Sequence, residues 1–294
     1  MTRARVGTRG SELALRQTRW VCDRLRAVVP EVEFEEVVIR THGDARPDEP
    51  LDADFPPDGF VSAIEKALLA GHVDFAVHSY KDLPTAQTAG LLVAAVPTRE
   101  AAHDVLVSSR PVELHALPPG LRVGTASPRR GAQISRIADV IVVPIRGNVP
   151  TRVAKVRSGE LDAVILAAAG IRRLGLVLPE VIDLPIEQFV PAPAQGALAV
   201  QARVGDAMVE ALARLDDPAS RRAVEAERAF LRALDAGCRT PVGAHATVAA
   251  GPLRLHGQVF TDDGLRWFEA VQFGDEPRQL GAALAAQLST FRDG

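Results

Sequence analysis

Apolar residues in this chain come in short runs, and their spacing alternates between the two-residue period of strands and the three-to-four-residue period of helices. "RVGTR" (5–9) reads as a strand. "SELALRQTRWVCDRLRAVV" (11–29) reads as an amphipathic helix that opens on Ser11, with Glu12 in its first turn. "FEEVVIR" (34–40) follows as a strand, "GFVSAIEKALLAG" (59–71) as a helix stopped by Gly71, and "VDFAVHS" (73–79) as a strand. That βαβαβ order predicts a mainly parallel sheet covered by helices.

The pattern restarts after "VPTREAAHD" (96–104). "DVLVS", "LRVGTAS", "DVIVVPIRG" and "LDAVILAAAG" are expected strands, with helices at 127–137 and 148–158, making a second α/β domain. "FVPAPAQGALAVQA" (189–202) is Pro/Ala-rich and then strand-like, as expected for a chain crossing back to the first domain. From Pro218 a long helical pattern ends at Gly237. Three strand-like runs (244–250, 253–260, 265–273) and a helix (279–288) follow, giving a small α+β domain. The expected division is 1–97 plus 197–214, 98–196, and 218–294. No repeat of fixed period is evident.

Composition narrows the class. Hydrophobic residues are 47% and charged residues 24% of the 294, the profile of a globular protein. A net charge of −3 and 4% aromatics argue against nucleic-acid binding. No apolar run is long enough for a transmembrane helix, no signal-peptide pattern is present, and two cysteines favour a reducing, cytoplasmic setting. The histidines and cysteines lack zinc-ligand spacing, so no metal is expected.

Arginines gather where strands end and helices begin: Arg9 in "GTRGS", Arg129 and Arg130 in "GTASPRRGAQ", Arg146 in "IRGN", Arg152 in "NVPTR", and Arg172 and Arg173 after "AAAG". Ser127 reads as an N-cap with Pro128 at the first helical position. Cations in a first helical turn oppose the helix dipole, so two adjacent arginines there call for an anion. Guanidinium pairs with carboxylate in bidentate fashion, which favours a polycarboxylate ligand. "AVHSYKDLPT" sets Lys81 and Asp82 at the end of an apolar strand, where a carboxylate could stabilise a transient cation or pass a proton, or simply form a turn before Pro84. His78 reads as structural and Cys22, mid-helix, as a core thiol. Cys238 stands in "DAGCRTPVGAH", after a helix-ending glycine and beside Arg239, which favours its thiolate.

Seven segments in register, "GTRGSELALRQT", "DFAVHSYKDLPT", "VGTASPRRGAQ", "IRGNVPTR", "LAAAGIRRLG", "PAPAQGALAVQ" and "AERAFLRALDAGCRTPVGA", resemble the porphobilinogen deaminase (hydroxymethylbilane synthase) family over about residues 3–275. The resemblance implies two lobes like those of type II periplasmic binding proteins and a small C-terminal α+β domain. It implies head-to-tail polymerisation of four porphobilinogen molecules, with loss of ammonia at each step, in a cytoplasmic monomer. It also implies a dipyrromethane cofactor held by a thioether to Cys238. By matched position, Asp82 is the catalytic aspartate. Lys81, Ser127, Arg129, Arg130 and Arg173 resemble cofactor contacts. Arg9, Ser11, Gln17, Arg146, Arg152 and Gln195 resemble substrate contacts.

The chain departs from the family in three places. A Gly/Lys-containing loop before Phe60 is replaced by the acidic "DEPLDADFPPDGF", a family arginine is replaced by His103, and the usual C-terminal ending is missing after "STFRDG". A two-lobed, non-catalytic binder of a carboxylated ligand is the competing reading, and it would need neither Asp82 nor Cys238. A cysteine hydrolase lacks a histidine partner motif.

Overall fold

The tetrapeptide Arg-Val-Gly-Thr occurs at 5–8 and again at 122–125, each time at the carboxyl end of a strand of a five-stranded sheet. The structure is a computed structural model that describes residues 2–41, 61–178, 180–235, 241–248, 251–261 and 263–292. The chain divides into two compact units, Met1–Glu100 with Ala197–Arg221 and Ala101–Gly196 with Arg222–Gly294.

In unit 1, β1 (Thr2–Thr8) lies parallel to β2 (Val32–Val38) and to β3 (Phe75–Ser79). Helices α1 (Glu12–Val28) and α2 (Ser62–Leu69) cover the sheet. The returning strand β10 (Leu198–Arg203) inserts antiparallel between β3 and β4 (Leu91–Ala95), giving the order β2-β1-β3-β10-β4. The crossing back at 189–202 is therefore as expected, but the sheet is mixed rather than mainly parallel, because the inserted strand reverses direction. Val21, Cys22 and Leu25 of α1 pack on Phe34, Phe75, Val77 and Val200, while Ile64 and Leu68 of α2 pack on Val73, Ala76 and Leu91. Burial pushes the Cys22 thiol up to about 12, so it is an inert core residue.

Unit 2 contains β5 (Asp104–Ser108), β6 (Leu121–Gly124), β7 (Val140–Val143), β8 (Ala163–Ala167) and β9 (Glu180–Asp183) in the order β7-β6-β8-β5-β9. Again four strands run in one direction and one, β5, is inserted against them. Its helices are α3 (Pro128–Ile137), α4 (Val149–Arg157) and α5 (Ala168–Leu174). Residues 168–174, expected partly as strand, are helical. Short β4, β9 and α6 (Val209–Ala213) were not expected from the pattern. The helix α7 (Pro218–Ala233) leads to an antiparallel sheet of β11 (Val242–Val248), β12 (Leu253–Phe260) and β13 (Trp267–Gly274), with α8 (Pro277–Arg292) packed on it through Leu280, Leu284 and Leu288. Two α/β halves and a small α+β portion are the fold class expected. Among the described residues no helix is long and apolar enough to cross a membrane, and no cluster of metal-ligating side chains occurs.

Both units use one clamp. Arg5 donates through its backbone N to Asp74 Oδ2 at 2.7 Å, and through Nη2 to the Gly71 carbonyl at 2.8 Å. Arg122 does the same to Asp162 Oδ2 at 2.9 Å and to the Gly159 carbonyl at 2.9 Å. The tetrapeptide's glycine is needed for close approach: a Cβ on Gly124 would come within 2.5 Å of the Leu161 side chain, and one on Gly7 within 3.1 Å of Val73.

His78, on β3, is buried, and its Nε2 has no hydrogen-bond partner among the described residues. Burial pulls its pKa down to about 4. The unfolded chain therefore binds this proton first, and the fold loses stability as pH drops below the ordinary histidine value. Between pH 7 and 4.5 the loss from this group should be about 2–3 kcal/mol, taking 1.36 kcal/mol per pKa unit. Denaturant titrations at both pH values should show that loss in the wild type and a correspondingly smaller one in His78→Gln. Equal pH dependence would contradict the assignment.

Candidate functional site

In unit 1 the expected residues collect at the carboxyl ends of parallel strands β1 and β3, where open α/β sheets bind ligands. Arg9 lies between β1 and α1. Ser11 is the N-cap of α1, and its hydroxyl accepts from the Ala14 N–H at 3.3 Å. Gln17 is buried on α1 and bonds the Ser79 hydroxyl at 3.0 Å, tying the helix to the end of β3. A single 3-10 turn, Tyr80–Asp82, follows β3. Tyr80 and Leu83 are buried and anchor the turn, the Tyr80 N–H donates to the Ala197 carbonyl at 3.0 Å, and Lys81 and Asp82 between the anchors are half-buried. The Asp82 carboxylate takes no hydrogen bond or ion pair among the described residues. A carboxylate held on a pinned backbone and not used internally is available to a ligand.

Unit 2 holds the rest. Ser127 caps α3 as expected, accepting from the Arg130 N–H at 3.4 Å, with Pro128 in the first turn. Arg129 and Arg130 are buried, and the anion that their place in that turn demands is supplied by the chain. Asp104, at the head of β5, is 0% exposed. Its Oδ2 accepts from Arg129 Nη2 at 2.8 Å, and its Oδ1 from Arg130 Nη2 at 2.6 Å and Nε at 3.2 Å. Gln195 also donates to Oδ1, at 2.9 Å, and to the Ala102 carbonyl at 2.7 Å. Arg129 Nη1 reaches Gln133 Oε1 at 2.8 Å and the Val190 carbonyl at 2.7 Å. Burial alone would raise the Asp104 carboxyl, but Arg130 and Arg129 hold it well below the usual range.

One carboxylate against two guanidinium groups leaves a surplus positive charge. Arg146 is half-buried before Gly147, whose φ of 98° turns the chain into α4; a Cβ there would meet Thr151 at 2.8 Å. Arg152 sits in the first turns of α4 behind its cap Asn148, with Nε donating to the Gly147 carbonyl at 2.9 Å. Its guanidinium is pulled down to about 10, first by burial and then by repulsion from Arg130 and Arg146. Three like charges are thus held close enough to feel one another.

Arg172 and Arg173 differ from the expectation. They lie in the last turn of α5, where the helix dipole favours cations and no external anion is required. Arg173 donates to the Gly196 carbonyl at 2.7 Å. His103 pairs with Asp183 at 3.0 Å. Cys238 and the acidic stretch 48–60 lie outside the described residues. Sequence reasoning missed Asp104 and Gln133. A signal for Asp104 was present: a carboxylate that opens the otherwise apolar strand "DVLVS" must find a partner.

A family model described as porphobilinogen deaminase, dipyromethane cofactor binding domain, matches residues 4–211, and one described as porphobilinogen deaminase, C-terminal domain, matches residues 221–290. The porphobilinogen deaminase of Rubrobacter xylanophilus is 47% identical over 285 residues, covering 96% of this chain and 92% of that protein. The porphobilinogen deaminase of Thermus thermophilus is 47% identical over 292 residues, covering 96% and 94%. Among solved structures, an ancestral cationic amino acid solute-binding protein is 16% identical with a TM-score of 0.46, covering 72% of this chain and 87% of that one.

Arg129 is bonded to three buried acceptors, whereas Arg152 is bonded to the Gly147 carbonyl. Arg129→Ala removes one of the two guanidinium partners of buried Asp104, strands the Gln133 Oε1 acceptor and should lower the unfolding free energy by about 3 kcal/mol. Arg152→Ala removes a repelled charge and should change it by no more than about 0.5 kcal/mol. Denaturant unfolding of both variants checks the contrast, and equal losses would refute it.

Proposed function

Because the chain belongs to the porphobilinogen deaminase family, we propose that Asp82 is the catalytic carboxylate of a hydroxymethylbilane synthase and that Cys238 carries its dipyrromethane cofactor by a thioether. The protein is a transferase of tetrapyrrole biosynthesis that joins four porphobilinogen molecules head to tail, releasing ammonia at each step, to give linear hydroxymethylbilane. The observation that carries the assignment of the site is the pair of buried guanidinium groups, Arg129 and Arg130, that share the one carboxylate of Asp104.

Pyrrole acetate and propionate arms are carboxylates, and they fit this donor set. Arg152 is already depressed by burial and by Arg130 and Arg146, so an arriving carboxylate relieves a repulsion that the fold otherwise bears. Cys238, Lys81, Ser127, Arg129, Arg130 and Arg173 are the residues that would hold the cofactor. When bound, that group supplies a pyrrole acceptor on which the chain can grow. Arg9, Arg146 and Arg152 would take the arms of the incoming substrate. Ser11, Gln17 and Gln195 support them by fixing the helix start, the end of β3 and the Asp104 cluster. As the aminomethyl C–N bond of porphobilinogen breaks, ammonia departs and positive charge spreads from the carbon into the ring. Asp82, held between buried Tyr80 and Leu83 and unbonded among the described residues, stabilises that charge and accepts hydrogen bonds from pyrrole N–H groups.

Three domains, 1–97 with 197–214, 98–196, and 218–294, belong to the same proposal; the separate core of the β11–β13 sheet and α8 supports the third. So does a cytoplasmic monomer without nucleic-acid or membrane partners, supported by the net charge of −3 and the scarcity of aromatics.

Purified protein incubated with porphobilinogen should gain the mass of two linked pyrrole units and release ammonia, and Cys238→Ala should do neither. Asp82→Asn should keep the added mass and lose at least about 10²-fold in turnover. Unmodified, inactive wild type would favour a non-catalytic binder. Normal turnover in Asp82→Asn would remove that carboxylate from the mechanism.

A further inference from the structure

The two neighbouring arginines of α3 are held by one carboxylate but engage different surroundings. Arg129 turns toward the Val190 carbonyl and Gln133, and its guanidinium lies 5.9 Å from the Phe189 ring centre. Gln133 in turn donates to Gln258 Oε1 at 2.7 Å, and Gln258 donates to Glu269 Oε2 at 2.9 Å, so Arg129 is one end of a polar chain that runs to β12 and β13. Arg130 instead feels Arg152 and belongs with the surplus cations. Its Nε and Nη2 are fixed on Asp104 and its Nη1 donates to the Ile165 carbonyl at 3.2 Å. A guanidinium has five N–H groups, and Arg130 keeps one on Nη1 that has no acceptor among the described residues.

Asp104 is the only acidic side chain hydrogen-bonded to these two arginines among the described residues. In the sheet of unit 1 the corresponding position, the residue of the antiparallel strand opposite the end of the third parallel strand, is Leu198; in unit 2 it is Asp104 opposite Ala167. The carboxylate is thus a feature of one unit and is not required by the strand order they share.

We propose that Asp104 is a positioning residue for the reaction, locking Arg129 as a brace and orienting Arg130 so that its remaining donor meets a pyrrole carboxylate. This rests on the reading that the arginines of unit 2 hold such arms. Replacing Asp104 by the isosteric amide keeps the volume, but removes the charge that fixes both guanidinium groups and sets an N–H donor against other donors. Arg130 then relaxes from its fixed orientation, and attachment of the cofactor suffers even where the fold survives.

The test compares wild type, Asp104→Asn and the charge-balanced double variant Asp104→Asn/Arg129→Gln after incubation with porphobilinogen. Circular dichroism melts report folding, and intact mass reports the fraction of folded protein carrying the cofactor. Cofactor occupancy of the folded protein should fall at least about tenfold in Asp104→Asn, and Asp104→Glu should recover part of it. The double variant removes one charge of each sign, leaves the same surplus, and should fold with low occupancy even if the single variant does not fold. A purely structural Asp104 would give lower melting temperatures with wild-type occupancy, and that result, in either variant, overturns the proposal. Wild type that gains no mass in the same assay would instead refute the functional reading on which the proposal rests.

Discussion

A carboxylate with no exposed surface, shared between two guanidinium groups, sets the terms for unit 2. Asp104 accepts from Arg129, Arg130 and Gln195, and so joins the head of β5, the first turn of α3 and the segment before β10. A buried ion is tolerable only when its hydrogen-bonding capacity is filled, and this one is filled by two adjacent arginines and by Gln195, all distant from it in sequence. An imbalance of two cations against one anion remains. Arg152, repelled by Arg130, adds to that imbalance, and the positive ends of α3 and α4 do not offset it.

Unit 1 has the opposite character. Its distinctive group is a carboxylate, Asp82, raised on a turn whose neighbours Tyr80 and Leu83 are buried. The turn is held because its flanks are core, and the carboxylate is not bonded to any other of the described residues.

Much of this was legible in the chain. The strand–helix alternation, the Ser11 and Ser127 caps and the return of β10 follow from period and turn chemistry, and the junction arginines implied an anion before any fold was known. That anion proved to be partly internal, since a sequence pattern cannot tell whether Asp104 or a ligand faces a guanidinium 25 residues away. Arg172 and Arg173 were misplaced at a helix start because "LDAVILAAAG" is apolar throughout, and a buried strand cannot be told from a buried helix by period. The paired Arg-Val-Gly-Thr clamps also escaped a search for fixed period. Arg5 and Asp74 are separated by 69 residues whereas Arg122 and Asp162 are separated by 40. Two short motifs, that tetrapeptide and a Gly-x-Val/Leu-Asp turn (71–74 and 159–162), would have revealed the duplicated architecture.

The central claim is that Asp104 holds Arg130 in place before any ligand arrives. Hydrogen exchange at arginine Nε, followed by NMR in the wild type, tests it most directly. The Arg130 Nε–H, bonded to Asp104 at 3.2 Å in a buried site, should exchange at least about a hundredfold more slowly than the Nε–H of exposed Arg24, equivalent to about 2.8 kcal/mol of protection. An Arg130 signal that exchanges as fast as that of Arg24 would contradict the account.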